Sequence, residues 1–328
     1  MKRQQRKPES KGGNPDSDQL RFVIQKHDTS RLHFKNIGKL LKTAFKAWWA
    51  KDPFKESAVI AYYAIFSLPG LLVVIVTIAG YFFGAEAVNS RLTSQISSAL
   101  GADTAKQIQD MIVTASQSKN SVWATIIGVI TILVGATGVF AQFQKSLNII
   151  WEVKADESKS GIWSLIRGRV FSFGLLVAIA FIMMASFMVS TLLSAMGDWL
   201  SSHFSDSLLV IIQVINFIVS SLIIALLFAI MFKFFPDAKV KWNHVWRGSI
   251  VTAILFLLGM YALSLYFGKA NPGSGYGAAG SIILILLWVS YSSMIVFYGA
   301  EFTHAYAVQQ DGYIPPDENA VKQQGRKI

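Results

Sequence analysis

The sequence predicts an all-α protein that crosses a membrane several times, and two observations carry this prediction. The 328 residues are 53% hydrophobic and only 15% charged, whereas an average soluble domain is about 25% charged. Residues 278–300 form 23 consecutive positions without Asp, Glu, Lys or Arg, against the roughly 20 apolar residues that cross a bilayer core as a helix. We therefore expect a polytopic protein with six transmembrane helices, an outer amphipathic helical insertion and a cytoplasmic interfacial helix.

Residues 1–35 are predicted to form a disordered, basic cytoplasmic tail, because the first 20 are almost free of large apolar groups. Within this tail, RFVIQKHDTSRLHF at residues 21–34 resembles the opening of the phosphoesterase domain of bacterial ligase D proteins. The resemblance implies metal binding at His27 and His33, but it covers only this fragment. Since two histidines do not complete a metal site, no metal is expected, and the role of the segment stays open.

A basic amphipathic helix is predicted to follow the tail. Between Ile37 and Trp48 apolar residues recur at helical spacing with lysines between them, and Trp49 extends an aromatic end that suits the headgroup region. The helix is expected on the cytoplasmic surface of an anionic membrane. Packing against the cytoplasmic ends of the spans is the alternative, and both can hold together. The residues predicted to bind anionic lipid are Lys39, Lys42 and Lys46.

Six apolar runs inside a membrane domain, residues 36–310, are long enough to span a bilayer. They lie at about residues 57–83, 121–143, 170–195, 208–232, 245–267 and 276–300. With both termini in the cytoplasm, the cytoplasmic segments hold 26 of the 30 Lys and Arg, as the positive-inside rule requires. Residues 311–328 then form a second cytoplasmic tail, which is expected to be unstructured because Pro315 and Pro316 stop any helix.

The connection between the first two spans, residues 86–120, is predicted to form two short amphipathic helices that cap the bundle on the outside. Gly101 separates them, and Asp103 is expected to cap the second helix. The apolar faces of the two helices contain Val88, Leu92, Ile96 and Ala99 in the first, and Ile108, Met111, Ile112 and Ala115 in the second.

Uncharged polar side chains recur at helical spacing within three of the spans. Gln213 and Asn216 are two amides within one turn at membrane depth, where they need partners or water. These residues either line a polar cavity or form hydrogen bonds between helices, and the sequence leaves both interpretations open. The candidate cavity-lining residues are Thr131, Ser186, Ser190, Gln213, Asn216 and Ser220.

Two spans contain candidate hinges. Pro69 and Gly70 lie near the middle of the first span, where proline removes a backbone donor and is expected to kink or break the helix. Gly277 and Gly280 lie at the entry to the sixth span, where they permit close approach or hinge motion. Tight packing without motion is the alternative at both places.

Glu301 closes the sixth span at its cytoplasmic boundary. The simplest interpretation is an ion pair with a basic residue at a neighbouring helix end. A role in proton coupling or substrate contact is the alternative. The candidate ion-pair partners are Lys55, Lys145 and Arg247.

No catalytic site, metal or cofactor is expected. The chain has no cysteine and five histidines that are scattered along it, whereas metal-assisted phosphodiester cleavage needs clustered ligands. A phosphate-binding glycine loop of the GxxxxGK[ST] type is also missing from the sequence. Because most of the basic residues flank apolar runs, nucleic acid is not expected as the main partner.

Three segments of the chain resemble the YihY/BrkB family of bacterial inner-membrane proteins. They read AYYAIFSLPGLLVVI at residues 61–75, ATGVFAQFQKSLNIIWEVK at 136–154 and GSGYGAAGSIILILLWVSYSSMIVFYGAEF at 273–302. The resemblance covers about residues 40–310 and implies a six-helix, multi-pass inner-membrane protein with cytoplasmic termini. It matches Glu301 to an acidic family position and Trp151 to the inner end of the second helix. Members of the family have been labelled both ribonuclease BN and a virulence factor.

The leading functional hypothesis is a transporter or exporter of an amphipathic or lipid-like solute that is not an enzyme. The first alternative is a non-transporting membrane scaffold for envelope proteins, and the second is a membrane-tethered nucleic-acid binder that uses the basic tail. A homo-oligomer is compatible with each hypothesis. The substrate, the coupling ion and the oligomeric state do not follow from the sequence.

Overall fold

The structure is a computed structural model that describes residues 34–117, 138–156, 206–270, 272 and 274–323. Residues 1–33 of the tail predicted for 1–35, the third predicted span and the candidate residues Thr131, Ser186 and Ser190 lie outside these residues. Residues 34 and 35 are helical, so the tail prediction is wrong for these two. The described helices are α1 Phe34–Ala50, α2 Pro53–Phe83, α3 Ala85–Leu100, α4 Ala102–Gln117, α5 at residues 138–150, α6 Asp206–Phe234, α7 Trp242–Ala270, a 3-10 helix Ser274–Ala279 and α8 Gly280–Asp311. Strands β1 Val153–Ala155 and β2 Ala320–Lys322 pair antiparallel.

Among the described helices, three are long and apolar enough to cross a membrane: Val214–Phe234 within α6, all of α7 and all of α8. They coincide with the last three predicted spans. The first predicted span lies within the 31-residue helix α2, and only the end of the second predicted span is described, in α5. The all-α class with membrane-length helices is therefore confirmed, while the total of six spans stays a prediction.

Helix α8 is the centre of the described bundle, and its contact with α7 is unusually close. Gly248 of α7 faces Thr303 of α8, and Gly299 of α8 faces Thr252 of α7. Each threonine hydroxyl donates to the glycine carbonyl one turn earlier in its own helix, at 2.7 Å for both. The two pairs form a reciprocal interlock, in which each glycine leaves room for the threonine of the other helix.

The two ends of α8 pack against different parts of the chain, and we name the ends after them. At the cap end, Leu284 packs in an apolar cluster with Leu100 of α3 and Ile108 of α4. At the basal end, Phe302 packs against α1. From Leu284 to Phe302 a straight helix rises about 27 Å, which is close to the roughly 30 Å thickness of a bilayer hydrocarbon core.

Helices α3 and α4 lie where the amphipathic insertion is predicted, while its position outside the membrane stays a prediction. Their apolar faces turn inward, and Ser264 Oγ of α7 adds a hydrogen bond of 3.2 Å to Ser98 O of α3. Gly101, with a φ of 90°, separates the helices. The predicted capping role of Asp103 is wrong, because α4 already begins at Ala102 and places Asp103 in its first turn.

Helix α1 lies where the cytoplasmic interfacial helix is predicted, and one of its faces packs against the bundle. Leu40 and Ala44 are buried against Phe302 and Tyr306 of α8. The alternative of packing against the helix ends is therefore correct for this face. The lysines of α1 lie on the opposite, exposed side.

The expectation of an unstructured C-terminal tail is wrong for residues 313–323. Helix α8 ends at Asp311, and the following Gly312, with a φ of 72°, terminates it before the prolines. Pro316 then forms an isolated bridge with Ala238, and β2 pairs with β1 so that Lys322 lies opposite Val153. The error arose because these few backbone hydrogen bonds connect segments that are distant in sequence, and local polarity carries no signal for them.

Candidate functional site

A buried ion pair joins α8 to the connection between α1 and α2. Lys51 Nζ lies 2.6 Å from Glu301 Oε1, and the exposed fractions of the two side chains are 24% and 1%. Lys51 Nζ also donates to the carbonyl of Ile150 at the end of α5, at 3.2 Å. One ammonium group therefore links three helices at the basal end.

The backbone at the α1–α2 connection explains how Lys51 reaches Glu301. Lys51 N donates to Trp48 O at 3.1 Å, which closes the last turn of α1. Asp52 then adopts a left-handed conformation with φ 51° and ψ 58°, and Pro53 begins α2. Asp tolerates this region better than most residues, and Pro at the first helical position has a φ that suits a helix start.

The surroundings of Glu301 are mostly apolar. Trp151, which is 2% exposed, meets the ring of His304 edge to face at 5.4 Å. His304 Nδ1 lies 4.0 Å from Glu301 Oε2, too far for a hydrogen bond. Within the described part of the chain, neither Glu301 Oε2 nor Trp151 Nε1 has a hydrogen-bond partner. Because a buried carboxylate loses its hydration, its stability here depends strongly on Lys51.

The structure corrects the predicted partners of Glu301. Lys55 and Lys145 are exposed, and the Arg247 guanidinium lies 5.1 Å above the ring of Tyr306. The structure thus places Glu301 in an ion pair with Lys51. No local pattern singles out this lysine, because it is one of many basic residues that flank a predicted span. A coupling or substrate role of Glu301 stays a prediction.

A second carboxylate at the basal end is held by uncharged donors. Gln142 Nε2 and Ser146 Oγ of α5 donate to Glu56 Oε2 of α2 at 2.7 and 2.6 Å. These bonds connect the first turn of α2 to the middle of α5. Together with the Lys51 contact, they fix α5 against α2 over two turns.

A third carboxylate, Asp237, organises the loop between α6 and α7. Asn148 Nδ2 donates to Oδ2 at 2.7 Å and Asn148 Oδ1 accepts from Asp237 N at 2.8 Å, while Gln144 Nε2 donates to Oδ1 at 3.1 Å. Burial raises the pKa of Asp237, the two amides oppose the rise, and Asp317 adds to it. Asp237 O also accepts from Asp317 N at 2.9 Å, which ties the C-terminal segment to the same loop.

The structure places only part of the predicted cavity-lining set. Asn216 and Ser220 are partly buried, and helical periodicity places this pair about 120° around α6 from Phe228 and Phe232 of the main core. Gln213 lies in α6, but its side chain is outside the described set. The cavity therefore stays a prediction.

The candidate hinges are placed in regular helices. Pro69 and Gly70 lie within α2, which is continuous from Pro53 to Phe83, so the helix is not broken there. Gly277 belongs to the 3-10 helix, and the buried Gly280 begins α8. A change of helix type thus occurs where the glycines suggested a hinge, while the motion itself stays a prediction.

Among the residues that the structure describes, no three His, Asp or Glu side chains come close enough to hold a metal ion. Of the three carboxylates described above, Glu301 pairs with a lysine, while Glu56 and Asp237 accept hydrogen bonds from side-chain amides and a hydroxyl. These contacts can hold helices together, and their strength depends on the charge of the carboxylates.

Comparisons with known proteins identify the family. A family model described as "Virulence factor BrkB" matches residues 44–324. A UPF0761 membrane protein of Saccharophagus degradans is 26% identical over 275 residues, which is 83% of this chain and 60% of that protein. One from Pseudoalteromonas atlantica is 24% identical over 76% of this chain and 79% of its own length.

A Bacillus subtilis relative named as the ribonuclease-like protein YfkH is 23% identical over 85% of this chain and 98% of its own length. The matches to the relatives from Saccharophagus degradans, Albidiferax ferrireducens and Verminephrobacter eiseniae cover 60%, 44% and 40% of those proteins. No solved structure matches the chain significantly. The family match over most of the chain and the membrane-length helices agree, and this chain belongs to the BrkB family of integral membrane proteins.

Proposed function

We propose that this chain moves an amphipathic or lipid-like solute across the bacterial inner membrane, with both termini in the cytoplasm. The observation that carries the proposal is the buried Lys51–Glu301 pair at the basal end of a membrane-length helix. Ionisable side chains in such positions are costly and commonly mark transport pathways. The uncharged amides of α6 supply a surface that suits polar groups of a passing solute.

In this proposal the basal end is the gate. Lys51 holds the α1–α2 connection, α5 and α8 together through Glu301 and Ile150. A passage between these helices requires Lys51 and Glu301 to separate. Gly277 and Gly280, at the start of α8, allow this helix to change its orientation. Gln213 and Asn216 of α6 contact the solute farther along its path.

The orientation can be tested directly because the chain contains no cysteine. We expect Thr43→Cys in α1 to be protected from a membrane-impermeant maleimide in intact spheroplasts and labelled after permeabilisation. Ser94→Cys in α3 should be labelled in both conditions. Both positions are exposed in the structure, so protection reports the membrane side. Labelling of Thr43→Cys in intact spheroplasts contradicts the proposed orientation.

Transport is tested with the purified protein in vesicles, using fluorescent phospholipids and amphipathic dyes as probes. We expect movement above that of empty vesicles. We also expect Gln213→Leu/Asn216→Leu to lower the rate about tenfold, the effect of losing one or two hydrogen bonds of about 1 kcal/mol each. Ser221→Ala is the matched control on the same helix, because its hydroxyl donates to the carbonyl of Phe217 in its own helix.

Equal movement in empty and protein-containing vesicles, across several lipid classes and ionic gradients, contradicts transport. The favoured alternative is then a scaffold for envelope proteins, which the two-helix cap and the exposed side of α1 support as contact surfaces. A scaffold predicts a stable partner that is lost when the cap is altered. Binding of nucleic acid by the basic tail is the third candidate, and the ribonuclease-like name of the Bacillus subtilis relative is not extended to this chain.

A further inference from the structure

The side of α1 that faces away from α8 carries a basic stripe. Lys39, Lys42 and Lys46 are exposed, and their spacing of three and four residues brings neighbouring Cβ atoms within about 6 Å. Helix α1 contains no Asp or Glu. Within the described part of the chain, none of the three lysines forms an ion pair.

The orientation of this stripe is fixed by polar contacts as well as by the apolar face of α1. Trp48 Nε1 donates to Met294 O at 3.1 Å, and the hydroxyl of Tyr298 donates to Leu41 O at 3.1 Å. Both bonds connect α1 to the basal half of α8. These two bonds fix the rotation of α1 about its own axis, so the side that carries the lysines faces away from α8.

An aromatic patch lies beside the basic stripe. Phe45, Trp49 and Phe54 are 49%, 58% and 57% exposed. Their rings contact one another, with centroids 6.0 Å apart for Phe45 and Trp49 and 5.7 Å apart for Trp49 and Phe54. Exposed aromatic side chains next to a span are typical of the membrane interface, where one part of the ring meets acyl chains and another meets headgroups.

We infer that this surface of α1 binds the headgroups of anionic phospholipids in the protein's own bilayer. The aromatic patch sets the depth of the helix at the interface, and the three ammonium groups select negative charge there. RNA would also be attracted to the lysines, and its bases can stack on aromatic rings, but α1 packs against the basal end of a membrane-length helix, which places this surface at the bilayer interface. The inference stands on α1 alone and does not depend on transport.

The test uses the full chain reconstituted in mixed vesicles in which either phosphatidylglycerol or phosphatidylcholine carries brominated acyl chains. Bromine quenches nearby tryptophan fluorescence, and subtraction of the Trp49→Phe variant isolates the signal of Trp49. We expect the quenching of Trp49 to correspond to a local phosphatidylglycerol fraction roughly threefold above its fraction in the whole bilayer. Added salt should reduce this local enrichment. In the variant Lys39→Gln/Lys42→Gln/Lys46→Gln, the quenching should correspond to the phosphatidylglycerol fraction of the whole bilayer.

A matched control removes three other exposed lysines of the basal end, with the variant Lys145→Gln/Lys154→Gln/Lys239→Gln. This control should retain the enrichment, and both triple variants should unfold at the wild-type temperature because their changes lie on the surface. Quenching in the wild type that corresponds to the fraction of the whole bilayer, or full enrichment in the α1 variant, overturns the inference. RNA retention that depends on the α1 lysines without lipid enrichment would assign the surface to nucleic acid instead.

Discussion

Lys51→Met is expected to destabilise the folded protein by about 3 kcal/mol, because it leaves a buried carboxylate without its compensating charge. Glu301 is 1% exposed, whereas Lys51 is 24% exposed. Glu301→Gln should therefore cost less, since the remaining ammonium group keeps the Ile150 carbonyl and can reach water. The measurement is thermal unfolding of the purified protein in detergent, monitored as the loss of monodisperse protein.

The double variant Lys51→Met/Glu301→Gln provides the decisive comparison. We expect it to be more stable than Lys51→Met alone, because the buried charge is gone. Lys239→Met is the control, since its contacts with Asp317 and Glu318, at 3.9 and 3.8 Å, are exposed and should contribute less than about 1 kcal/mol. If Lys51→Met and Lys239→Met shift the unfolding temperature equally, the pair does not stabilise the basal end.

Gly248→Ala is expected to lower the stability by about 2 kcal/mol, although alanine is normally the better helix former by about 0.5–1 kcal/mol. A Cβ at position 248 would overlap Oγ1, Cβ and Cγ2 of Thr303. Threonine is branched at Cβ and cannot rotate all three atoms away, so α7 and α8 must separate. The unfolding temperature in detergent should fall by several degrees.

Gly268→Ala is the matched control, because Gly268 lies in the same helix α7 and a Cβ there meets no atom within 4 Å. This variant should keep or slightly raise the stability. Gly248→Ala/Thr303→Gly should cost less than the sum of its single changes, since the alanine then fits the space that the threonine leaves. Strict additivity of the two changes would argue against the interlock.

Much of the fold could be predicted from the sequence because its signals are local. The apolar runs predicted α2, α6, α7 and α8, and the amphipathic periodicity predicted α1 and the two cap helices. The two helices after α2 occur where the periodicity predicts them, although Asp103 does not cap the second, because the periodicity extends over whole helices while an N-cap depends on a single residue. The resemblance of three segments to the BrkB family also agreed with the family match.

The polar contacts of the basal end could not be predicted in the same way. Glu301 was recognised as a candidate for an ion pair, but three wrong partners were suggested. Lys51 follows α1, which packs against α8, and directly precedes the left-handed Asp52 that leads into α2. Asp237 was missed altogether, since nothing in its local sequence indicates two amides from α5.

By itself the sequence determined which segments are helical, which helices are apolar enough for a membrane, and which face of α1 is basic. These properties follow from residue composition and from the period of the helix. Only the tertiary structure decided that Lys51 pairs with Glu301, that α7 and α8 interlock through Gly248 and Gly299, and that β2 returns to β1. Each of these contacts joins residues that are far apart in the chain, so the relative placement of the helices creates it.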